Sequence, residues 1–359
     1  MEKTISFQRD SLRHAVLLAP ALWPYLTPAK IWNLLHSEMQ ALRRSPRLNT
    51  FPVTAILDVA GICNLGCPYC PTGAGRKRGR QERLLSLDLV KKLLEQTGKY
   101  LIYAPLFFWG EPLLHPQLPE IVRLFNQYRI FTSVSSNLSL DRKDLLAGLA
   151  EAGLDHLMVS ISGASQAVYD RYHRRGNLDL VWENLKFLRD LKGRRGVKKP
   201  LVELKYLVFN YNRHEVEAAA QMARTLKVDL FRRYPGGGPP EVVVHQYGPD
   251  FHPLVPPRYC EYLWHTVVLN PDGGIAPCCY TYFREDDLGD FTRDSIQQIR
   301  GNDLFVQARS LFNPKFLAEL PPDLKHPCLK CHLVHKQPHL KHYLAKNPHA
   351  VKGHRTGGV

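Results

Sequence analysis

Apolar and polar residues change their spacing along the chain in a regular way, and this change predicts alternating strands and helices. From residue 51 onward, short apolar runs of strand length alternate with longer stretches whose apolar residues recur at helical spacing. The predicted strands are VTAILDV, YLIYAPLFFW, RIFTSVSS, HLMVSIS, LVELKYLVFN and VDLFRRY; the predicted helices are SLDLVKKLLEQTG, PQLPEIVRLFNQY, SLDRKDLLAGLAEAG, LDLVWENLKFLRDLK and RHEVEAAAQMARTLK. About six such repeats, with strands apolar enough to be buried on both faces, predict an α/β fold with a parallel sheet, as a barrel or an open sheet.

An N-terminal extension precedes this alternation. Thr27 and Pro28 form a good helix start, because the hydroxyl caps the first turn and proline suits its geometry. The apolar row of this helix is Ile31, Leu34, Leu35, Met39 and Leu42, and the arginines at its end are Arg43, Arg44 and Arg47. Such an amphipathic segment is expected to pack on the barrel or on a second subunit.

A glycine- and proline-rich break, YPGGGPP at residues 234–240, ends the strand–helix alternation. We therefore predict a helical extension over 1–50, a core barrel over 51–238, a small cysteine-containing domain over 239–335 and a basic, histidine-rich tail over 336–359.

Composition narrows the class of protein only partly. The 359 residues include 48 Lys and Arg against 33 Asp and Glu, a formal net charge of +15. This balance favours anionic partners, which include phosphorylated substrates, nucleic acid and membrane surfaces. No apolar segment is long enough to span a bilayer, and the N-terminal residues lack a signal-peptide pattern. We expect a cytoplasmic protein whose eight cysteines are reduced ligands rather than disulfides.

Three of these cysteines, Cys63, Cys67 and Cys70, follow the first predicted strand in the run GICNLGCPYCPTG. In parallel α/β folds the chemistry collects at the carboxyl ends of the strands, where this run lies. Thiolates at short spacing bind zinc or iron–sulfur clusters. Structural zinc takes four ligands, and the next Cys or His is the distant His115. Three thiolates on a four-iron cluster leave one iron open.

The run resembles the signature of the radical S-adenosylmethionine (radical SAM) superfamily, C-x3-C-x2-C with an aromatic residue, here Tyr69, before the last cysteine. The resemblance implies a partial (β/α)6 TIM barrel and a [4Fe–4S] cluster on Cys63, Cys67 and Cys70, whose open iron chelates SAM. It also implies reductive cleavage of SAM to a 5′-deoxyadenosyl radical that abstracts a substrate hydrogen. The electron would come from an external donor of the flavodoxin or ferredoxin type.

Further motifs within residues 51–233 extend the resemblance. FWGEPLLHP resembles the family's GGEP element, with Trp109 in place of the first glycine, and His173 stands where the family has an arginine. SVSSN and VSISGASQAVYDRYHR match stretches that carry polar contacts to the cofactor. The implied SAM-binding residues are Tyr69, Gly110, Glu111, Pro112, Ser136, Asn137, Ser160, Ser162 and Arg174; Asn212 is a weaker match.

The other five cysteines lie beyond the break, at Cys260, Cys278, Cys279, Cys328 and Cys331. A C-x2-C pair with two distant cysteines makes a four-thiolate site, for which zinc and iron–sulfur both remain open from spacing alone. The spacing resembles the SPASM/twitch extension of radical SAM barrels, with a hairpin turned by NPDGG. Because Gln337 stands where the full pattern has another cysteine, the resemblance implies one auxiliary [4Fe–4S] cluster. Its ligands would be Cys260, Cys278, Cys328 and Cys331, for electron transfer or structure.

Cys279 is left over from this set. It is either a small buried residue or an alternative ligand to Cys278, or, as a sharper hypothesis, a catalytic thiol that donates a hydrogen atom to a substrate radical.

Four functions are compatible with these residues. The first is modification of a peptide or protein side chain, with the basic clusters RKRGR (76–80) and RRGVKK (194–199) meeting an acidic partner. The second is modification of a lipid, a lipid-linked sugar or another small molecule, with residues 10–47 touching the membrane surface. The third is RNA modification, although no RNA-binding module is present and no DNA partner is expected. The fourth is a non-enzymatic scaffold. Inward residues of the fifth strand, such as Glu203 and Lys205, would face the substrate.

Overall fold

The protein is described from a computed structural model that covers residues 19–76, 79–244, 258–321 and 323–346. Some parts of the sequence-based predictions lie outside these residues. They are residues 1–18 of the helical extension, which include 10–18 of the proposed membrane-contacting segment, Lys77 and Arg78 of the first basic cluster, residues 245–257 and 322 of the small domain, and residues 347–359 of the tail.

Strands and helices alternate as predicted over the first two thirds of the chain. The strands are β1 Thr54–Leu57, β2 Tyr103–Pro105, β3 Phe131–Ser136, β4 His156–Ile161, β5 Leu201–Val208, β6 Leu230–Pro235, β7 Thr266–Leu269, β8 Gly274–Ala276 and β9 Gly289–Asp290. The helices are α1 Pro28–Leu42, α2 Leu87–Thr97, α3 Leu118–Gln127, α4 Lys143–Glu151, α5 Gln166–Tyr169, α6 Leu178–Arg195, α7 Val216–Thr225, α8 Glu261–His265, α9 Ile296–Gly301, α10 Asp303–Ser310, α11 His332–His335 and α12 Lys341–Lys346.

One sheet contains all nine of these strands, in the order β6-β5-β4-β3-β2-β1-β7-β8-β9. The six strands from β1 to β6 are parallel, and each lies beside the next one in sequence. This confirms the predicted α/β fold with a partial (β/α)6 barrel. Strand β7 continues the sheet parallel to β1, and β8 and β9 follow antiparallel. The C-terminal region therefore extends the barrel sheet at its β1 edge.

The two faces of the barrel strands differ in polarity. One face packs on the helices through residues such as Val134, Val159 and Leu204, which belong to the main hydrophobic core. The other face carries polar side chains, among them His156 and Glu203. The long apolar runs predicted strands buried on both faces by apolar residues; the structure instead places a polar lining inside the barrel.

Helix α1 begins where predicted, with the Thr27 side chain accepting a hydrogen bond from the Lys30 amide. The side of α1 that faces solvent is its apolar side, which was not expected. The buried residues are Lys30, Asn33, Ser37 and Ala41, and the exposed ones are Ile31, Trp32, Leu35, Met39 and Leu42. The helix therefore packs through its polar side, because Lys30 Nζ donates to the carbonyls of Tyr128 and Arg129 at 3.0 and 2.5 Å.

The segment before α1 closes the amino-terminal end of the barrel. The Tyr25 ring packs edge-on against Phe131 of β3 at a centroid distance of 5.5 Å. The Tyr25 hydroxyl donates to the buried carboxylate of Asp155, which Lys199 also contacts. No helix of the described residues is both long and apolar enough to cross a bilayer.

Two buried arginines join the N-terminal extension to the C-terminal region. Arg309 donates to the carbonyls of Leu263, Pro46 and Arg300 at 3.0, 2.5 and 2.6 Å. Arg300 donates to the carbonyls of Thr50 and Trp264. Each of these five bonds crosses between segments far apart in sequence or closes a turn of the small domain, so the parts share one hydrogen-bonded interior.

Candidate functional site at the barrel mouth

The cysteine run lies at the carboxyl end of β1 and is held against the segment after β2. The Glu111 amide donates to the Ile62 carbonyl at 2.7 Å, and the Gly61 amide donates to the Arg83 carbonyl at 2.8 Å. A side chain at Gly110 would collide with the Ala60 carbonyl, so only glycine permits this close approach. The glycine and glutamate of the GEP element therefore position the loop that carries the three cysteines.

The Cys63 and Cys67 thiols are largely buried, and all three thiols are close enough for their charges to affect one another. Burial raises the pKa of Cys63 to about 12, and the Glu111 carboxylate adds to this rise. Burial also raises the pKa of Cys67, with further rises from Cys70 and Cys63. Three such thiolates together need a compensating positive charge, which an iron–sulfur cluster provides on binding. This donor set fits the cluster that the sequence predicts.

Glu111 is the polar centre of the barrel mouth. Its buried carboxylate accepts hydrogen bonds from Ser136 Oγ at 2.7 Å, the Asn137 amide at 2.8 Å and the Leu113 amide at 3.1 Å. Burial raises the pKa of Glu111, and these bonds lower it in part. The Asn137 side chain donates to Asn64 Oδ1 at 2.9 Å, beside Cys63. Three of the predicted SAM-binding residues are thus brought together next to the first cysteine.

Ser160 and Ser162 have different surroundings. Ser160, at the end of β4, is half-buried and faces the barrel interior, where a ligand can reach it. Ser162 is fully buried; its hydroxyl donates to the Tyr169 carbonyl and lies 2.7 Å from His173 Nδ1. The prediction of a direct cofactor contact does not fit Ser162, because its hydroxyl is already used within the protein.

The cation expected near His173 comes from a neighbouring residue. Burial lowers the pKa of His173 to about 3, so this side chain is neutral and cannot pair with a carboxylate. Arg174 is exposed, and its carbonyl accepts the Gly66 amide at 2.9 Å. The Arg175 guanidinium lies against Gly66 and lowers the pKa values of the Cys63 and Cys67 thiols. Sequence reasoning missed Arg175; the signal was its place in the arginine pair that follows His173.

Tyr69 and Asn212, two other residues matched to the family pattern, contact other parts of the protein itself. Tyr69 lies between Tyr172, at a ring-centroid distance of 6.1 Å, and Gly238, where a side chain would meet the Tyr69 ring. Asn212 is fully buried and donates to the carbonyls of Ser162 and Leu207 at 2.9 and 2.8 Å. Tyr69 therefore positions the end of the cysteine run, and Asn212 fixes the loop after β5. Pro112 begins a 3-10 helix, Pro112–Leu114, directly after Glu111.

Trp109 and Arg80 link the barrel mouth to the small domain. Trp109 packs edge-on against Tyr282 at 5.5 Å and donates through Nε1 to the Thr281 carbonyl at 3.4 Å. The departure of Trp109 from the GGEP pattern is explained by this contact. Arg80 pairs with Asp272 at 2.9 Å and Asp287 at 2.8 Å. Arg80 is therefore neutralised within the chain rather than by an acidic partner.

The later cysteines form a second group. Cys278, Cys260 and Cys331 are the charges that most raise the pKa of Cys328 after its own burial. Burial raises the pKa of Cys260 to about 11, with Cys331 adding to the rise. Four neighbouring thiols whose charges act on one another in this way suit one closed cluster, as the sequence predicts.

Cys279 belongs to the same neighbourhood but has its own partner. The Tyr262 hydroxyl donates a hydrogen bond to its sulfur, which lowers a thiol pKa that burial raises. This places Cys279 beside the auxiliary group. The proposed hydrogen-donor role stays a prediction.

No three His, Cys, Asp or Glu side chains of the described residues converge closely enough to hold one metal ion. Thiolates of a four-iron cluster bind different iron atoms and need not meet at a single point, unlike the ligands of one zinc ion.

Comparison with known families places two models on the chain. The model of the radical SAM superfamily matches residues 57–223. The SPASM model, an iron–sulfur cluster-binding domain, matches residues 260–332. These ranges contain the two cysteine groups.

The names of proteins with similar sequences refer to different kinds of substrate. The chain is 32% identical over 120 residues to a PqqA peptide cyclase of Rhodopseudomonas palustris, covering 33% of this chain and 31% of that protein. It is 30% identical over 132 residues to a GTP 3′,8-cyclase of Limosilactobacillus fermentum, covering 36% of this chain and 39% of that protein. The matches thus span about a third of these relatives' length.

Among solved structures, Streptococcus suis SuiB bound to S-adenosylmethionine has a TM-score of 0.60 at 13% identity, covering 92% of this chain and 82% of that one. SuiB bound to the precursor peptide SuiA has a TM-score of 0.55 at 10% identity, covering 80% and 71%. At these identities the likeness shows the fold.

Proposed function

The chain belongs to the radical SAM superfamily and carries a SPASM domain, and from this premise we propose that it is a radical SAM enzyme that modifies a side chain of a peptide or protein. The observation that carries the proposal is the group of three neighbouring thiols at the carboxyl end of β1, next to Glu111 and Asn137. When bound there, a [4Fe–4S] cluster supplies the electron that cleaves S-adenosylmethionine and allows hydrogen abstraction from an unactivated carbon.

The chain's own residues bind, orient and exclude water. Cys63, Cys67 and Cys70 would hold the cluster, and the backbone next to Gly110 comes within contact of their loop. Glu111 keeps Ser136 and the Asn137 amide in fixed positions through its three hydrogen bonds. The segment that contains Tyr25 closes the amino-terminal end of the barrel. A radical formed at the mouth is thereby kept from solvent on that side.

The choice of a peptide is supported by the proteins of similar sequence and fold. SuiB was solved with a precursor peptide, and its fold covers most of this chain. The PqqA peptide cyclase is similar over the matched third. The GTP 3′,8-cyclase, whose name gives a small molecule, makes the alternative of a non-peptide substrate concrete.

The test is an anaerobic assay of the reconstituted full chain with SAM, dithionite and fractionated cell extract. We expect 5′-deoxyadenosine formation that a peptide fraction stimulates and that protease treatment of the fraction removes. A variant with Cys63, Cys67 and Cys70 replaced by alanine is the control and forms none. Stimulation by a lipid or ribonuclease-sensitive fraction instead contradicts the peptide proposal.

A second proposal, contact with an anionic membrane surface, rests on α1. This helix exposes an apolar row with Leu35 at 60% and Trp32 at 65%, and Trp23, exposed at 74%, precedes it. Arg43 and Arg47 are exposed at its end. An apolar face with aromatic residues and flanking arginines suits binding in the plane of an anionic bilayer.

Vesicle co-sedimentation tests this second proposal. We expect the protein to pellet with phosphatidylcholine–phosphatidylglycerol vesicles and to lose this with Trp32→Glu/Leu35→Glu. The matched control Val197→Glu/Met222→Glu changes two exposed apolar residues elsewhere and should still pellet. Equal pelleting of both double variants contradicts membrane contact through α1, as does a change of oligomeric state without any vesicle binding.

A further inference from the structure

The interior of the barrel contains a buried cluster of charged side chains on β4, β5 and β6. Glu203 is fully buried, with His156 Nε2 3.2 Å from one carboxylate oxygen and Arg232 Nη1 3.6 Å from the other. The Tyr234 hydroxyl hydrogen-bonds the same carboxylate. Each carboxylate oxygen of Glu203 therefore has a nitrogen of His156 or Arg232 as its neighbour.

The two cations of this cluster, Lys205 and Arg232, have few hydrogen-bond acceptors. The Nε and Nη1 atoms of Arg232 are buried and donate no hydrogen bond to any described residue. Lys205 Nζ lies over the Tyr234 ring, 4.2 Å from its centroid, and has neither a carboxylate within 4.0 Å nor a hydrogen-bond acceptor in the described ranges. Arg232 also faces this ring, at 4.3 Å. An ammonium and a guanidinium thus converge on one aromatic ring with donors unused.

The charge of the cluster is unbalanced by one unit. Lys205 and Arg232 are two cations against the single carboxylate of Glu203. Burying an uncompensated cation is unfavourable, so the fold keeps these groups at a cost in stability. The pKa of Lys205 is lowered by this burial and by Arg232, and raised by Glu203. One missing anion accounts for both the unused donors and the charge.

The position of the cluster relates it to the site at the barrel mouth. Lys205 is the register partner of Ser160, the half-buried predicted cofactor contact, and of Arg232 on the other side. Glu203 lies two residues further from the mouth on the same face of β5. A group bound by Lys205 and Arg232 would lie beside the residues where hydrogen abstraction is proposed.

We propose that Lys205 and Arg232 bind a carboxylate of the substrate, so that the modified peptide presents an acidic residue inside the barrel. This inference rests on the proposed peptide-modifying function and names its substrate class. A carboxylate supplies the one negative charge that the cluster lacks, and its two oxygens match the unused donors of a guanidinium and an ammonium. A phosphate dianion would leave an excess of negative charge next to Glu203.

Binding without turnover tests the proposal. The reconstituted full chain with SAM and no reductant is titrated with acetyl-Ala-Glu-Ala-amide, acetyl-Ala-Gln-Ala-amide and inorganic phosphate, followed by saturation-transfer NMR. We expect the glutamate peptide to bind at least tenfold more tightly than the glutamine peptide. Lys205→Met should abolish this difference, Lys205→Arg should keep most of it, and the exposed control Lys186→Met should leave it unchanged.

Thermal unfolding gives an independent readout. Because Lys205 is a poorly compensated cation, Lys205→Met should raise the unfolding midpoint relative to wild type. A lowered midpoint, equal binding of the two peptides, binding of neither, or tighter binding of phosphate overturns the proposal. These measurements need no deoxyadenosine formation. Failure of the catalytic assay therefore counts against the proposed function alone, whereas equal peptide binding in a catalytically active protein counts against the carboxylate site alone.

Discussion

Among single residues, the group formed by Ser162, Tyr169 and His173 shows how the loop after β4 is fixed. The His173 ring stacks on Tyr169 at 4.8 Å and lies 2.7 Å from the Ser162 hydroxyl. All three side chains are buried. Arg174 and Arg175 follow directly in sequence. This packing therefore fixes the backbone positions from which both arginine side chains extend.

His173 should make the protein sensitive to acid. Its pKa falls from 6.5 to about 3 on folding, so the unfolded chain binds the proton more readily. Stability from the neutral ring is complete above about pH 6.5 and is lost as the pH falls towards 3, by about 1.4 kcal/mol per pH unit. Urea unfolding of the apoprotein at pH 7 and pH 5 should therefore show a drop of about 2 kcal/mol from this residue.

The variant His173→Asn separates this effect from that of other buried histidines. It should lower stability at pH 7 but show a smaller loss between pH 7 and pH 5 than wild type. An unchanged loss over this range would mean that His173 is not buried as a neutral ring.

A second prediction for a single residue concerns the role of the Cys279 thiol. Because Cys260, Cys278, Cys328 and Cys331 suffice for a four-thiolate site, we expect Cys279→Ala to keep full iron content and product formation. Cys278→Ala, its neighbour, is the control and should lose the auxiliary iron. Loss of product with accumulation of radical-quenched by-products, at full iron content, would instead support the hydrogen-donor hypothesis.

The sequence predicted the functional residues unevenly, for a physical reason. The cysteines, Gly110 and Glu111 were predictable because ligand chemistry and close backbone approach restrict the residue type. The surroundings of Ser162, whose hydroxyl has partners within the protein, could not be foreseen, since a serine at a strand end serves a ligand or a neighbour equally well. The choice depended on where His173, eleven residues later, is placed by the fold.

Among elements, the link between the cysteine loop and the β7–β8 hairpin rests on an ion-pair network. Arg80 follows the cysteine run, and its side chain is 3% exposed between Asp272 and Asp287. Arg284 contacts the same two aspartates but is 32% exposed. The two arginines therefore join the same carboxylates from a buried and a more open side.

Replacing Arg80 should be far more damaging than replacing Arg284. Arg80→Gln leaves two buried carboxylates without their main partner, which costs about 3–5 kcal/mol. The more exposed Arg284→Gln should cost about 1 kcal/mol or less. Urea unfolding of the two variants measures the difference, and equal losses would contradict the role of Arg80 as the buried tie.

Helix α1 shows why the sequence predicts that a helix forms but not which side of the helix faces the protein. Its start and its apolar row were read correctly from spacing, but that row faces outward. Hydrogen bonds from Lys30 and Asn33 to distant carbonyls hold the polar side inward. Periodicity identifies two faces of a helix; it does not identify which face meets the protein when buried polar groups find partners.

For the whole molecule, the continuous sheet joins two cysteine groups that remain separate sites. One group follows β1 at the barrel mouth; in the other, Cys260 precedes α8 and β7, Cys278 follows β8, and Cys328 and Cys331 bound a short turn. Strand β7 pairs with β1 over four residues. The repeat pattern predicted parallel strands in a barrel or an open sheet, and the resemblance implied the barrel and hence the order of β1 to β6. The parallel pairing of β7 with β1 was not predicted, because no local signal marks a partner two hundred residues away.

Iron content distinguishes one auxiliary cluster from the alternatives. With two four-iron clusters the reconstituted wild type should hold about eight iron atoms per chain, and alanine replacement of Cys63, Cys67 and Cys70 should leave about four. Alanine replacement of Cys260, Cys278, Cys328 and Cys331 should also leave about four, now at the proposed site of S-adenosylmethionine cleavage. About twelve iron atoms in wild type would require a second auxiliary cluster, for which Gln337 offers no thiolate. Four iron atoms with one equivalent of zinc would instead identify the closed site as a zinc site, and metal analysis of the three proteins decides among these outcomes.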